Sequence, residues 1–265
     1  MSVLLVIPAR YASTRYPGKA LAGLRGATGK EKSLIERSHA AARAVAGIDR
    51  IIIATDDERI ANHARGFGAE AVMTPSSCRN GTERCAAVAE MLPEYDLVVN
   101  LQGDAPLTPP WFVEALVKAA TADSTVAVAT PVLRCDPQAL AGFLEDRRAG
   151  RVGGTTAVFD AAGRALYFSK EVIPFMGRDL RTGEEIPVHH HVGVYAYRRT
   201  ALLRYAALPE GPLERWEGLE QLRFLENGLG ILCVPVEAHG RTFWELNNPE
   251  DLPKIERALV ELGID

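Results

Sequence analysis

Val3-Leu4-Leu5-Val6-Ile7-Pro8-Ala9-Arg10-Tyr11-Ala12-Ser13-Thr14-Arg15-Tyr16-Pro17-Gly18-Lys19 begins with an apolar run that gives way abruptly to a cationic loop. Residues 3–7 are short and apolar enough for a strand buried on both faces, and Pro8 stops the run. The loop then brings Arg10, Arg15 and Lys19 together with Ser13, Thr14 and Gly18. Arginine supplies planar multidentate donors, lysine a mobile point charge, and glycine a close backbone approach. That combination suits a polyanion such as a triphosphate. Neither the GxGxxG fingerprint nor the GxxxxGK[ST] loop is present, so a phosphate site here would be of another kind. A polar loop with its cations in solvent is the alternative reading.

The composition narrows the classes. A chain of 265 residues, 47% hydrophobic and 24% charged, suits one large globular domain or a domain with an embedded subdomain. A net charge of -4 and a pI near 5.9 argue against a general binder of nucleic acid or of anionic membranes, so any anion must meet local positive charge. Cys78, Cys85, Cys135 and Cys233 are scattered without a CxxC pair, as expected of incidental thiols in a reducing compartment. The first apolar run is too short for a secretory segment and no run is long enough for a membrane span. A cytoplasmic location is expected.

Further along, residues 33–46 carry apolar side chains at helical spacing, Arg50 to Thr55 reads as a second buried strand, and residues 59–66 as a helix. Asp56-Asp57-Glu58 reads as the cap of that helix. Residues 69–73 form a third strand, and the alternation implies a parallel sheet with right-handed crossovers. Ser77-Cys78-Arg79-Asn80-Gly81-Thr82-Glu83-Arg84 leads into a helix through Met91. Residues 96–101 form a fourth buried strand, followed by Gln102-Gly103-Asp104-Ala105-Pro106. A carboxylate just past the carboxyl end of a parallel strand sits where open α/β sheets bind ligands, and suits a magnesium ion that keeps several waters.

From residue 124 the pattern changes. It predicts a strand over 126–130, a short helix over 136–144, a glycine-containing turn over 150–156, and two strands with a tight turn over 157–168. Tyr195-Ala196-Tyr197 lies in another strand after His189-His190-His191. Consecutive strand side chains alternate faces, so the three histidines cannot converge on one metal. Pro212 opens a helix expected to run through Leu225, residues 231–236 form a late strand, and Asn248-Pro249 starts the last helix.

The string Pro-Ala-Arg-Tyr-Ala-Ser-Thr-Arg-x-Pro-Gly-Lys at residues 8–19 closely resembles the opening loop of the 3-deoxy-manno-octulosonate (Kdo) cytidylyltransferases, or CMP-Kdo synthetases. Gly81-Thr82-Glu83-Arg84, Gln102-Gly103-Asp104, His191-x-Gly193-x-Tyr195-x-Tyr197-Arg198 and Glu220-Gln221-Leu222-Arg223 resemble that family's later motifs, in the same order. The resemblance implies a Rossmann-like, mostly parallel α/β sheet flanked by helices, forming a single domain over 1–265 with a smaller β-rich subdomain inserted at about 130–200. It implies transfer of a cytidylyl group from CTP to a small anionic acceptor, release of pyrophosphate, Mg²⁺ as cofactor and a homodimer. By the same carry-over, Pro8, Ala9, Arg10, Ser13, Arg15, Lys19, Gly81, Thr82, Arg84 and Gln102 bind the nucleotide. Arg10, Lys19 and Asp104 are the catalytic candidates, and Asp104 holds the metal. Lys170, His191, Tyr195, Glu220 and Gln221 face the acceptor.

The chain departs from the family in four places. The glutamate of Gln-Gly-Asp-Glu-Pro is Ala105. The aspartate of Val-Asp-Thr-Pro-Glu-Asp-Leu, a second magnesium ligand, is Asn247, and Glu245 on the same strand face is the candidate substitute. The arginine of Tyr-Phe-Ser-Arg is Lys170, and a family lysine corresponds to Thr156. The nucleotide side is thus kept while the metal and acceptor side is altered. Kdo and a phosphonate such as phosphonoformate both stand as acceptors. A non-catalytic CTP-binding paralogue, or a nucleotidyltransferase for another sugar acid, are the other readings.

Overall fold

The opening run forms β1 (Val3–Ala9), every residue of it buried. The structure, a computed structural model, describes residues 1–13, 15–152, 154–178, 183–241 and 245–265; Thr14 and part of the 150–156 turn fall outside them. After β1 come β2 (Gly23–Arg25), β3 (Glu31–Ser33), α1 (Leu34–Arg43), β4 (Arg50–Thr55), α2 (Glu58–Gly66), β5 (Ala71–Met73), α3 (Gly81–Met91), β6 (Leu97–Leu101) and α4 (Pro110–Ala122). The second half holds β7 (Val128–Arg134), α5 (Pro137–Arg148), β8 (Thr155–Phe159), β9 (Ala165–Ser169), β10 (His189–His191), β11 (Val194–Arg198), α6 (Arg199–Ala207), α7 (Pro212–Glu217), α8 (Leu222–Glu226), β12 (Ile231–Pro235) and α9 (Leu252–Glu261).

The fold is mixed α/β, as expected. Strands β5-β4-β1-β6 pair in parallel. The sheet then continues through antiparallel β11 to β7, β10, β8 and β9, with β12 parallel to β7. The period of two along β1 divides the core. Val3, Leu5 and Ile7 join the cluster containing Ile35 of α1, Ile60 of α2 and Phe112 of α4. Leu4 and Val6 join the cluster containing Cys85 and Val88 of α3 and Leu202 of α6. Each such side chain taken from water stabilises the fold by about 1.5–3 kcal/mol, which is why the run must be covered on both faces.

The β-rich stretch at about 130–200 supplies strands that extend this sheet. Thr155 and Thr156 already belong to β8 rather than to a turn. The helix expected from Pro212 through Leu225 is two helices: Gly218 takes a left-handed conformation (φ 61°) and ends α7, and α8 starts only at Leu222. The left-handed residue satisfies the helix end and redirects the chain, so Leu219, Glu220 and Gln221 form a corner. α4, α6 and the β2–β3 hairpin were not anticipated from the sequence. Among the described residues no helix is long and apolar enough to cross a membrane.

Candidate active site

Parallel pairing places the carboxyl ends of β1, β4 and β6 along one edge, where Arg10, Asp56 and Gln102 leave the sheet. Because β11 is antiparallel to β6, with Val194 opposite Leu101 and Tyr195 opposite Asn100, it begins at that same edge. His191 ends β10 two residues before Gly193. Nucleotide-side and acceptor-side candidates therefore reach one crevice, the position that open α/β sheets give to ligands.

The loop after β1 is tied to Asp104. Lys19 Nζ pairs with an Asp104 carboxylate oxygen and also donates to the Leu246 carbonyl at 3.1 Å. The Leu246 N–H in turn donates to the Asp104 carbonyl at 2.8 Å. Leu246 itself is fully buried, while Glu245 and Asn247 on either side of it are partly exposed. Residues 245–247 form no strand, so the expected shared strand face is absent; a side-chain hydrogen bond joins Glu245 to Asn247 instead. Arg15 Nη2 donates to Asn247 Oδ1 at 2.7 Å. Burial first, and the neighbouring Asp104 charge second, push the Glu245 carboxyl up to about 7; the Asn247 amide, Lys19 and Arg15 act the other way. Arg10 is exposed at the end of β1, and Ser13 is buried in the loop, its N–H bonded to the Tyr11 carbonyl at 2.9 Å.

The oxygens of Asp104, Glu245 and Asn247 form a hard donor set of the kind magnesium takes. Among the described residues no group of three or more His, Cys, Asp or Glu side chains is placed to hold a metal ion. The carboxylates present number two, and a buried carboxyl held up partly by its neighbour's charge is one that a cation would relieve.

Pro8, Gly81 and Gln102 converge. A methyl at Gly81 would lie 3.3 Å from Gln102 Oε1, 3.3 Å from Pro8 Cγ and 3.4 Å from Asn100 Nδ2. Glycine here leaves room for a close approach. Asn80 caps α3 by accepting from the Glu83 N–H at 2.8 Å. Asn100 was missed as a candidate by the sequence reading. It is fully buried in β6, and among the described residues neither its amide nitrogen nor its oxygen has a partner. Its signal was an amide inside an otherwise apolar strand. Arg84, by contrast, is turned inward: its guanidinium meets Asp56 at 3.3 Å and Thr74 Oγ1 at 2.5 Å. Asp56 thus serves this pair, while Asp57 caps α2 through the Arg59 N–H at 2.9 Å.

Among the candidates for the acceptor, Glu220 accepts through Oε2 from the Thr82 N–H at 3.3 Å, and Thr82 Oγ1 bonds the Tyr197 hydroxyl at 2.9 Å. Burial pushes the Glu220 carboxyl up to about 7. Gln221 is buried with its amide nitrogen unpartnered among the described residues. His191 is buried between the Phe168 and Tyr195 rings, bonds Thr130 Oγ1 at 3.0 Å, and is held down to about 3 by burial, so it stays neutral. Tyr195 is buried beside it. Lys170 follows β9, its N–H bound to Glu217 at 2.9 Å, and its amine lies close to Gly218. Thr156 does not act as a cation: its hydroxyl donates to the Glu171 carbonyl at 2.6 Å and accepts from the Ile173 N–H at 3.2 Å, fastening the strap after β9.

Fold and site together describe a nucleotidyltransferase, with a cationic loop facing metal-suited oxygens across a sheet edge. Residues 4–231 match the family model described as cytidylyltransferase. A 3-deoxy-manno-octulosonate cytidylyltransferase from Maricaulis maris (strain MCS10) is 45% identical over 264 residues, covering 99% of each chain. Its counterpart from Chlamydia pneumoniae is 41% identical, covering 97% of this chain and 94% of its own. A solved CMP:2-keto-3-deoxy-manno-octonic acid synthetase in complex with CTP superposes with a TM-score of 0.83 at 33% identity, covering 99% of this chain and 100% of that one. The chain belongs to the CMP-Kdo synthetase family of cytidylyltransferases, and is a nucleotidyltransferase.

Proposed function

We propose that the protein joins CMP, taken from CTP, to Kdo and releases pyrophosphate. The observation that carries this reading is the pairing of Lys19 with Asp104 and of Arg15 with Asn247 across the crevice, in a chain whose relatives at 45% and 41% identity are named for Kdo. CTP enters this account from the neighbour solved with it. An acceptor hydroxyl oxygen attacks the α-phosphorus, the bond to the β-phosphate breaks, and pyrophosphate leaves. Arg10, Arg15 and Lys19 stabilise the charge on the phosphoryl oxygens and the leaving group. Glu220, protonated below about 7, and Gln221 offer hydrogen bonds to an anionic acceptor, and Lys170 supplies the local positive charge.

Asp104 and Glu245, with the Asn247 carbonyl oxygen, are the residues that would hold Mg²⁺. The ion supplies charge neutralisation at the triphosphate when bound. The altered acceptor side does not by itself select a phosphonate, because the relatives reported above carry Kdo names over nearly the whole chain. We extend the reading to a homodimer and to a cytoplasmic location; Phe175 and Trp216 are 90% and 89% exposed, large apolar side chains that a partner chain would cover.

A nucleotide panel tests the proposal. With Kdo as acceptor, CTP is expected to support pyrophosphate release while UTP, GTP and ATP do not; equal use of UTP contradicts it.

A further inference from the structure

The loop that carries Ser13, Arg15 and Lys19 has one hub, and the hub is held from outside the loop. The Tyr11 carbonyl accepts from the Ser13 N–H at 2.9 Å and from the Gly18 N–H at 2.8 Å, which closes the loop on itself. Gly18 is left-handed (φ 72°), and a methyl there would lie 3.1 Å from the Tyr11 ring, so the chain folds directly onto that ring. The ring's other partner is Arg59 of α2, whose guanidinium carbon sits 3.4 Å from the ring centroid. Arg59 is aimed by Asp57: Oδ1 accepts from Arg59 Nε at 2.9 Å and Oδ2 from Nη2 at 2.6 Å. Asp57 is fixed in turn, because it caps α2.

We infer that Arg59 is a positioning residue for the nucleotide: stacked on Tyr11 and oriented by Asp57, it holds the cationic loop in its binding shape before CTP arrives. The inference rests on the reading of that loop as the triphosphate site. A loop already ordered loses less conformational freedom on binding, so its holder acts on affinity rather than on the chemical step. Arg59 is exposed and makes no contact with Asp104, so its loss leaves the fold and the reacting groups in place.

A cation–π contact at an exposed site is worth a factor of about two to five in an equilibrium. Arg59→Ala is therefore expected to raise the KM and Kd for CTP by roughly threefold to fivefold with kcat within about twofold. Tyr11→Leu raises them similarly, and the double variant is no worse than the worse single one, since both remove the same contact. Arg65→Ala removes an equal charge from the same helix, where Arg65 faces Glu58 at 3.7 Å, and leaves the KM where it was. Arg59→Lys, which keeps the charge without the planar stack, recovers only part of the loss. The inference is overturned if Arg59→Ala behaves like Arg65→Ala, if it lowers kcat with KM intact, or if the two single effects add. Failure of the unaltered protein to bind CTP would instead overturn the nucleotide reading, and this inference with it.

Discussion

Glu220 lies where the corner between α7 and α8 meets the start of α3, and its carboxyl titrates near 7 because burial disfavours its charge. The groups around it stay neutral in that range: burial pushes Tyr195, Tyr197, Tyr205 and Cys85 upward. Arg223 keeps its charge, paired with Glu214. Below the ordinary carboxyl value of 4.5, folded and unfolded chains both hold the Glu220 proton. Between there and about 7 only the folded chain holds it, so stability falls as pH rises through that window and is flat above it. Glu220→Gln removes the slope: its melting temperature, relative to the unaltered protein, should rise between about pH 5 and about pH 8. The KM for the acceptor should climb above about 7 in the unaltered protein and stay level in the variant. A parallel shift of both proteins with pH would contradict this. At the other side of the crevice, Lys19→Met removes the cation that pairs with Asp104 and that the proposed reaction sets against the leaving pyrophosphate. Pyrophosphate release should fall by about 10²–10³; a loss under tenfold would remove Lys19 from the chemistry.

Elements position these side chains through glycines that leave no space. A methyl at Gly103 would lie 2.7 Å from the Pro8 carbonyl oxygen, a main-chain atom with no freedom to retreat, and the Gly103 carbonyl is held by Ser38 Oγ at 2.9 Å. Gly103→Ala should destabilise by about 1–3 kcal/mol, lower activity by displacing Asp104, and show both in thermal unfolding and turnover. Gly218→Ala forces a side chain into the left-handed region and costs about 1–2 kcal/mol, read as a lower melting temperature with a weakened acceptor KM. The strands β1, β4 and β6 were legible because a strand covered on both faces reads as a nearly continuous apolar run, with Asn100 the polar residue inside β6. The α7–α8 break was not legible: helical periodicity continues across Gly218, and only the backbone angle reveals the corner. Alternation along a strand was the reason to pair Glu245 with Asn247, but residues 245–247 form no strand; Leu246 is tied to Asp104 by a main-chain bond that no side-chain pattern records. Arg84 looked like a nucleotide contact, whereas Asp56 and Thr74 draw it into the interior.

At the scale of the whole molecule, one sheet joins a parallel half that carries the cationic loop after β1 to an antiparallel half that carries His191 and Tyr195, the candidates for the acceptor, with β11 as the seam. The proposed reaction needs both groups of candidates at one edge, and reversal of direction at β11 brings the start of that strand to the edge where β6 ends. The central claim is that the altered acceptor side still takes Kdo. Pyrophosphate release from CTP in the presence of magnesium, with Kdo and phosphonoformate in parallel, tests it most directly. Release with Kdo is expected; release with phosphonoformate alone, or silence with both in a protein that binds CTP, would rule out Kdo as the acceptor.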